Sequence, residues 1–208
     1  MTLKIFLALG YFFYTLVRLT GWLRYRNCGY KSVKTSFSRM LLFVGIDIGI
    51  IAVMIFQLGI SEIGKINLGQ EYSSLIRFCG LFFFSLGIFL SCWGRLVLNG
   101  SWNTAGMSIK IGEKVVMNGP YSIMRHPIYV GAWLMGVGFE LSLVNWMVLL
   151  VIGLSLVLYQ QAKFEEKILQ KFLPEYKVYM LKTGMFFPKI SLGKIQTKEC
   201  RTKRPFIG

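Results

Sequence analysis

The chain has a single histidine, His126, and its four cysteines (Cys28, Cys79, Cys92 and Cys200) form no C-x-x-C pair. A multi-histidine metal centre is excluded, and neither a zinc site nor a disulfide framework is expected. Acids are scarce: nine Asp and Glu stand against 24 Lys and Arg, a formal net charge of +15. Charged residues of both signs make up only 16% of the chain, against about a quarter in soluble domains. A basic excess of this size would suit a nucleic-acid binder. Here the Lys and Arg lie between and beyond long apolar blocks, where lipid headgroups and the positive-inside bias account for them. Nucleic acid is not expected as a partner.

What the chain has in quantity is apolar sequence, 54% of it, arranged in blocks. The first runs from about Ile5 to Leu23. It contains Arg18, lacks a small-residue cleavage site and is longer than a signal h-region, so it reads as a retained span. Met40 to Ile60 would reach about 31 Å as a helix, enough to cross a bilayer. Phe78 to Leu98 is a third block. A polar, Gly-bearing stretch from Asn99 to Pro127 precedes a long apolar run from Ile128 to about Ala162. As one helix that run would overshoot a hydrocarbon core of about 30 Å by about 20 Å. The segment Glu140-Leu-Ser-Leu-Val-Asn145-Trp146 offers a turn, so the run divides into two antiparallel spans. The expectation is an all-α membrane bundle in one domain, with spans near 5–23, 40–60, 78–98, 128–142 and 145–162.

Charge orients it. Residues 24–39 carry Arg24, Arg26, Lys31, Lys34 and Arg39 with no acid, and 94–127 and the tail after 163 are basic too. The connection 61–77 and the turn near Asn145 are not. The positive-inside bias then puts the N-terminus outside and the C-terminus in the cytoplasm. The end from Leu192 to Gly208 reads as a loose basic tail against anionic lipid.

Two clusters on that cytoplasmic side carry candidate chemistry. Arg125-His126 precedes Pro127, which suits the first turn of a helix because its missing N–H would be unpaired there. Cationic residues beside a positive helix N-terminus make sense if an anion binds there. Equally, Arg125 reads as an interfacial anchor snorkelling to headgroups. Glu165-Glu166 follows the last apolar run, where acids at a helix end oppose the macrodipole. They pair either with Lys163 and Lys167 on a solvated face or with a ligand. If the last two spans form a hairpin, the two clusters become neighbours. Together they match a zwitterionic amino acid, carboxylate to the first and ammonium to the second.

At these residues the C-terminal half resembles the isoprenylcysteine carboxyl methyltransferase and phospholipid methyltransferase family. The matching parts are Gly119-Pro-Tyr121, Arg125-His-Pro-Ile-Tyr129 with Gly131, the pair Glu165-Glu166, then Tyr176 and Tyr179. Lys182-Thr-Gly-Met-Phe-Phe-Pro188 is similar to the ending of small prokaryotic members, and Asn99-Gly-Ser-Trp102 to a Leu-Gly-x-x-Trp element. The resemblance covers roughly 95–190. It implies S-adenosylmethionine as cofactor, enclosed by 99–129 and 163–190 at the cytosolic face. Its amino-acid end would meet Val116, Gly119, Tyr121, His126, Tyr129 and the Glu pair. Arg125, Glu165 and Glu166 would be the catalytic set, and Trp102 with Arg125 would line the acceptor path; no metal is implied. The family usually has Phe-Gly after the Glu pair. Here Phe172-Leu173-Pro174 stands instead, one residue closer to the first Tyr, so the resemblance does not choose between Glu165 and Glu166. The first two spans match nothing in the family.

Methyl transfer from a sulfonium is an in-line displacement, in which alignment and a poorly hydrated site supply the acceleration. A carboxylate acceptor needs no general base, whereas an amine does. The expected acceptor is lipid-like, resembling the carboxyl group of a prenylated cysteine. Phospholipid amine N-methylation or small-thiol S-methylation is the alternative. An NADPH-dependent sterol-type reductase and a non-enzymatic membrane scaffold are the rivals from other classes. Gly131, Gly136 and Gly138 read as close helix-packing positions, and the aromatic and Met content as packing and lipid-facing surface.

Overall fold

A computed structural model describes residues 2–27, 37–59, 64–98 and 115–189. These residues form six α-helices and no strand: α1 (Thr2–Asn27), α2 (Phe37–Gly59), α3 (Gln70–Leu98), α4 (Pro127–Leu143), α5 (Val148–Phe172) and α6 (Tyr176–Lys182). Three of the described helices carry segments long and apolar enough to cross a membrane, Thr2–Gly21, Gln70–Leu98 and Val148–Phe172. The apolar stretches Ile48–Gly59 and Pro127–Leu143 are shorter. Each expected span has its helix, while membrane-crossing length is met by three of the five. The basic connection, Trp102 and the tail after 189 lie largely or wholly outside the described residues.

The bundle is organised by the seam between α3 and α4, its most extensive helix pair. Small residues permit the close approach. A Cβ on Gly138 would sit 2.2 Å from the Phe84 backbone nitrogen, and one on Gly87 would sit 2.4 Å from that of Met135. Gly131 likewise packs on Ser91 and Gly80 on Ser142, whereas Gly136 faces Val151 of α5. Around the seam lies the core of Leu7, Tyr14, Met54, Phe84, Cys92, Met135 and Phe139. Gln57 ties α2 to α4 by donating to Glu140 Oε2 at 2.9 Å, both side chains being buried.

The turn foreseen near Asn145 reverses the chain between α4 and α5. Val144 takes the left-handed conformation (φ 54°), and its N–H caps α4 on the carbonyls of Glu140 and Leu141. Asn145 Oδ1 accepts from Met147 N at 3.0 Å, the local hydrogen bond that makes Asn a turn residue. Ile66 N to Val144 O and Trp146 N to Gly64 O staple the 64–66 connection onto this turn.

One expectation fails. The Glu pair does not end α5, which continues to Phe172. Apolarity thins after Ala162, but Phe164, Ile168 and Leu169 keep a helical spacing. Pro174 supplies the stop, since it disfavours helical backbone at the residue before it. Leu173 is accordingly extended (φ −125°, ψ 92°).

Candidate functional site

Pro127 opens α4 with His126 as N-cap, as the missing N–H of proline predicts. Upstream, Gly119–Ser122 forms a single 3₁₀ turn. Gly119 has φ 57° and lies against α3, so a Cβ there would come within 2.9 Å of Val97 Cγ2. The turn buries Tyr121, and half-buried Val116 leads into it. From the far side, residues 183–189 fold back as a strap. Arg125 N donates to Gly184 O at 2.9 Å and His126 N to Met185 O at 3.1 Å. Tyr179 Oη donates to Tyr121 O at 2.6 Å, joining α6 to the turn.

Inside this frame the two clusters meet. Arg125 Nε donates to Glu166 Oε1 at 2.6 Å, and the same oxygen lies 3.2 Å from His126 Nε2. One Nη of Arg125 donates to the carbonyls of Met180 and Thr183. Glu165 Oε1 accepts from Tyr129 Oη and, at 3.1 Å, from Gln161 Nε2. The His126 ring stacks on Tyr129, centroids 5.4 Å apart and planes within 7°. Arg125, His126, Tyr129, Glu165 and Glu166 therefore share one cluster, with Tyr121 and Gly119 in the adjoining turn. Trp102 falls outside the described residues.

Two readings of these clusters, one of Arg125 and one of Glu166, are corrected. Arg125 is no snorkelling anchor, because its side chain is 9% exposed and held by Glu166. The Arg125 and His126 amides are engaged by the strap carbonyls. Glu166, with a side chain 5% exposed, does not lie on a solvated lysine face. Lys163 instead sits over the Tyr159 ring, 4.6 Å from its centroid.

The cluster keeps unfilled capacity. Glu165 Oε2 and His126 Nδ1 are 3.9 Å apart, too far for a hydrogen bond, and no other hydrogen bond to either atom occurs among the described residues. The second Nη of Arg125 also makes none there. Glu165 Oε2 and His126 Nδ1, 3.9 Å apart, thus keep hydrogen-bonding capacity that the described residues do not fill. Nearby phenols stay protonated: burial drives Tyr121 and Tyr176 far up, and burial pushes Tyr179 up to about 12. Among the described residues no group of three His, Cys, Asp or Glu could hold a metal ion.

Four residues were missed in the sequence. Gln161 was findable, standing one helical turn before Glu165 on the same face. The carbonyls of Met180 and Thr183 carry no side-chain signal. Arg95, buried in α3, donates to Tyr14 Oη at 2.9 Å; it was counted only as a basic residue at the end of the third span.

Residues 75–175 match the phospholipid methyltransferase family. The match runs from α3 through α5, the elements that carry the seam and the Arg125–Glu166 pair, and agrees with the resemblance read from 119–131 and 165–166. Two curated relatives are also similar. A nickel-cobalt-cadmium resistance protein of Alcaligenes xylosoxydans xylosoxydans is 29% identical over 54% of this chain and 51% of its own length. A cobalt-zinc-cadmium resistance protein of Cupriavidus metallidurans is 33% identical over 51% of this chain and 48% of its own. The chain thus spans about half the length of the curated relatives it matches.

Proposed function

We propose that the protein is an S-adenosylmethionine-dependent methyltransferase that modifies a lipid-like acceptor at the cytoplasmic face of the membrane. In this reading the N-terminus is outside, and 99–129 with 163–190 form the cofactor-binding region of a single membrane domain. The observation that carries it is the meeting of Arg125-His126 with Glu165-Glu166 beside a family match over the same helices. The residues fit the zwitterionic end of the cofactor. Glu165 Oε2 is a free acceptor for an ammonium group, and the uncommitted Nη of Arg125 is a donor for a carboxylate.

Bound S-adenosylmethionine supplies a methyl group activated by a sulfonium. The chain's own residues supply position and dryness. Glu166 holds Arg125 and His126 in one orientation, Tyr129 and Gln161 hold Glu165, and the strap and α6 cover the cluster. Gly119 and Tyr121 of the 3₁₀ turn, with Val116 leading into it, bring backbone alongside, and the acceptor path would be lined by Trp102 together with Arg125. Glu165 is also the best-placed proton acceptor if the acceptor is an amine, while a carboxylate resembling that of prenylated cysteine needs none. Phospholipid amine N-methylation and thiol S-methylation remain the alternatives for the acceptor.

Calorimetry of the protein in nanodiscs, titrated with S-adenosylhomocysteine and separately with NADPH, tests the reading. Binding of the first and not the second is expected. Binding of NADPH alone, or of neither, would defeat it.

A further inference from the structure

The short helix α6 has two faces. Tyr176, Tyr179 and Thr183 point inward and are buried beneath it. On the outward side Val178 is 53% exposed, Leu181 69%, and Phe187 of the strap 76%. For a helix packed on a protein surface this division is inverted, because the outward positions should be polar. The residues flanking them are charged with one sign. Lys171, Lys177, Lys182 and Lys189 are all exposed, against the single acid Glu175 at the helix start. Lys189 folds back to donate from Nζ to Leu181 O at 2.8 Å, which keeps a cation beside the apolar residues. Apolar side chains framed by lysines suit the boundary between acyl chains and anionic headgroups.

Position supports the same occupant. Counted from the turn at 144–147, a core of about 30 Å accommodates about 20 residues of α5. The end of α5 and all of α6 then lie where acyl chains give way to headgroups.

We propose that α6 and the strap dock in the plane of the membrane. Val178, Leu181 and Phe187 enter the interface, and Lys177 and Lys182 engage anionic phosphate groups of the bilayer. The contact reaches the site through two carbonyls: Met180 and Thr183, which hold Arg125, belong to the docked segment. This inference does not depend on methyl transfer.

The test is alkylation of Leu181→Cys and of Glu175→Cys by a charged, water-soluble maleimide, read at each site by mass spectrometry. Both positions are exposed, so neither exchange disturbs the core. In nanodiscs containing anionic phospholipid, Leu181→Cys should react about tenfold more slowly than Glu175→Cys, a ratio set by burying one aliphatic side chain. Adding Lys177→Gln and Lys182→Gln should recover most of the rate. Equal rates at the two positions would overturn the proposal. Undiminished protection in a polymer-stabilised sample without bilayer would overturn it too, since another part of the chain would then cover the face.

Discussion

Glu166 Oε1 accepts from Arg125 Nε at 2.6 Å across 41 residues of sequence, joining the start of α4 to the interior of α5. The pair is buried and has a second function in positioning His126. Removing the acid leaves a buried guanidinium with only two backbone carbonyls.

Glu166→Ala should therefore destabilise the folded bundle by about 3–5 kcal/mol, the cost of breaking a buried ion pair from one side. Glu165→Gln should cost far less, because Tyr129 and Gln161 still find an oxygen acceptor. Denaturation monitored in detergent micelles distinguishes the two. Equal and small losses would show that Glu166 is not the structural member of the pair.

Helix packing at the α3–α4 seam gives a second expectation. Gly138→Leu drives a side chain into the Phe84 backbone and should lower stability by more than the 1–3 kcal/mol usual for overpacking. Gly153→Leu, with nothing near its added Cβ, should not lower the unfolding midpoint. If both tolerate leucine alike, the seam is looser than described.

Tyr179 supplies a third. Its hydroxyl donates to Tyr121 O, so Tyr179→Phe should cost about 1 kcal/mol and loosen the 3₁₀ turn. The pH dependence follows from its raised pKa. The folded phenol titrates near 12 against an ordinary value of 10.0, so the folded state holds the proton longer. That contribution to stability is complete below pH 10 and disappears as pH rises towards 12. Ultraviolet titration of phenolate would detect it, and full tyrosine ionisation by pH 10.5 in the folded protein would contradict it.

Much of this architecture was legible. Block lengths and Pro127 gave the helices, Asn145 gave the turn, and a hairpin between the last two helices implied that residues 125–126 approach 165–166. The length of α5 was not legible because hydropathy follows the surroundings of a helix rather than its hydrogen bonding. The stop came from Pro174 instead. The pairing of Arg125 with Glu166 was also missed. Each cluster was read as facing either a ligand or its surroundings, headgroups for Arg125 and lysines for the Glu pair, whereas two opposite charges brought into a poorly hydrated cluster neutralise each other first. What is left over, at Glu165 Oε2 and one Arg125 nitrogen, is visible only in the folded structure. The strap, residues 183–189, was marked only by the likeness of 182–188 to small prokaryotic members; its bonds to 125 and 126 left no side-chain signal because they are made by backbone.

The central claim is that this cluster recognises the amino-acid end of S-adenosylmethionine. Calorimetry comparing S-adenosylhomocysteine with methylthioadenosine, which lacks that end, tests it most directly. The expected result is at least about a hundredfold weaker binding of methylthioadenosine, the loss of two charge-assisted contacts, with Glu165→Gln narrowing the gap. Equal affinity for the two compounds, or a gap that Glu165→Gln leaves untouched, would contradict the account.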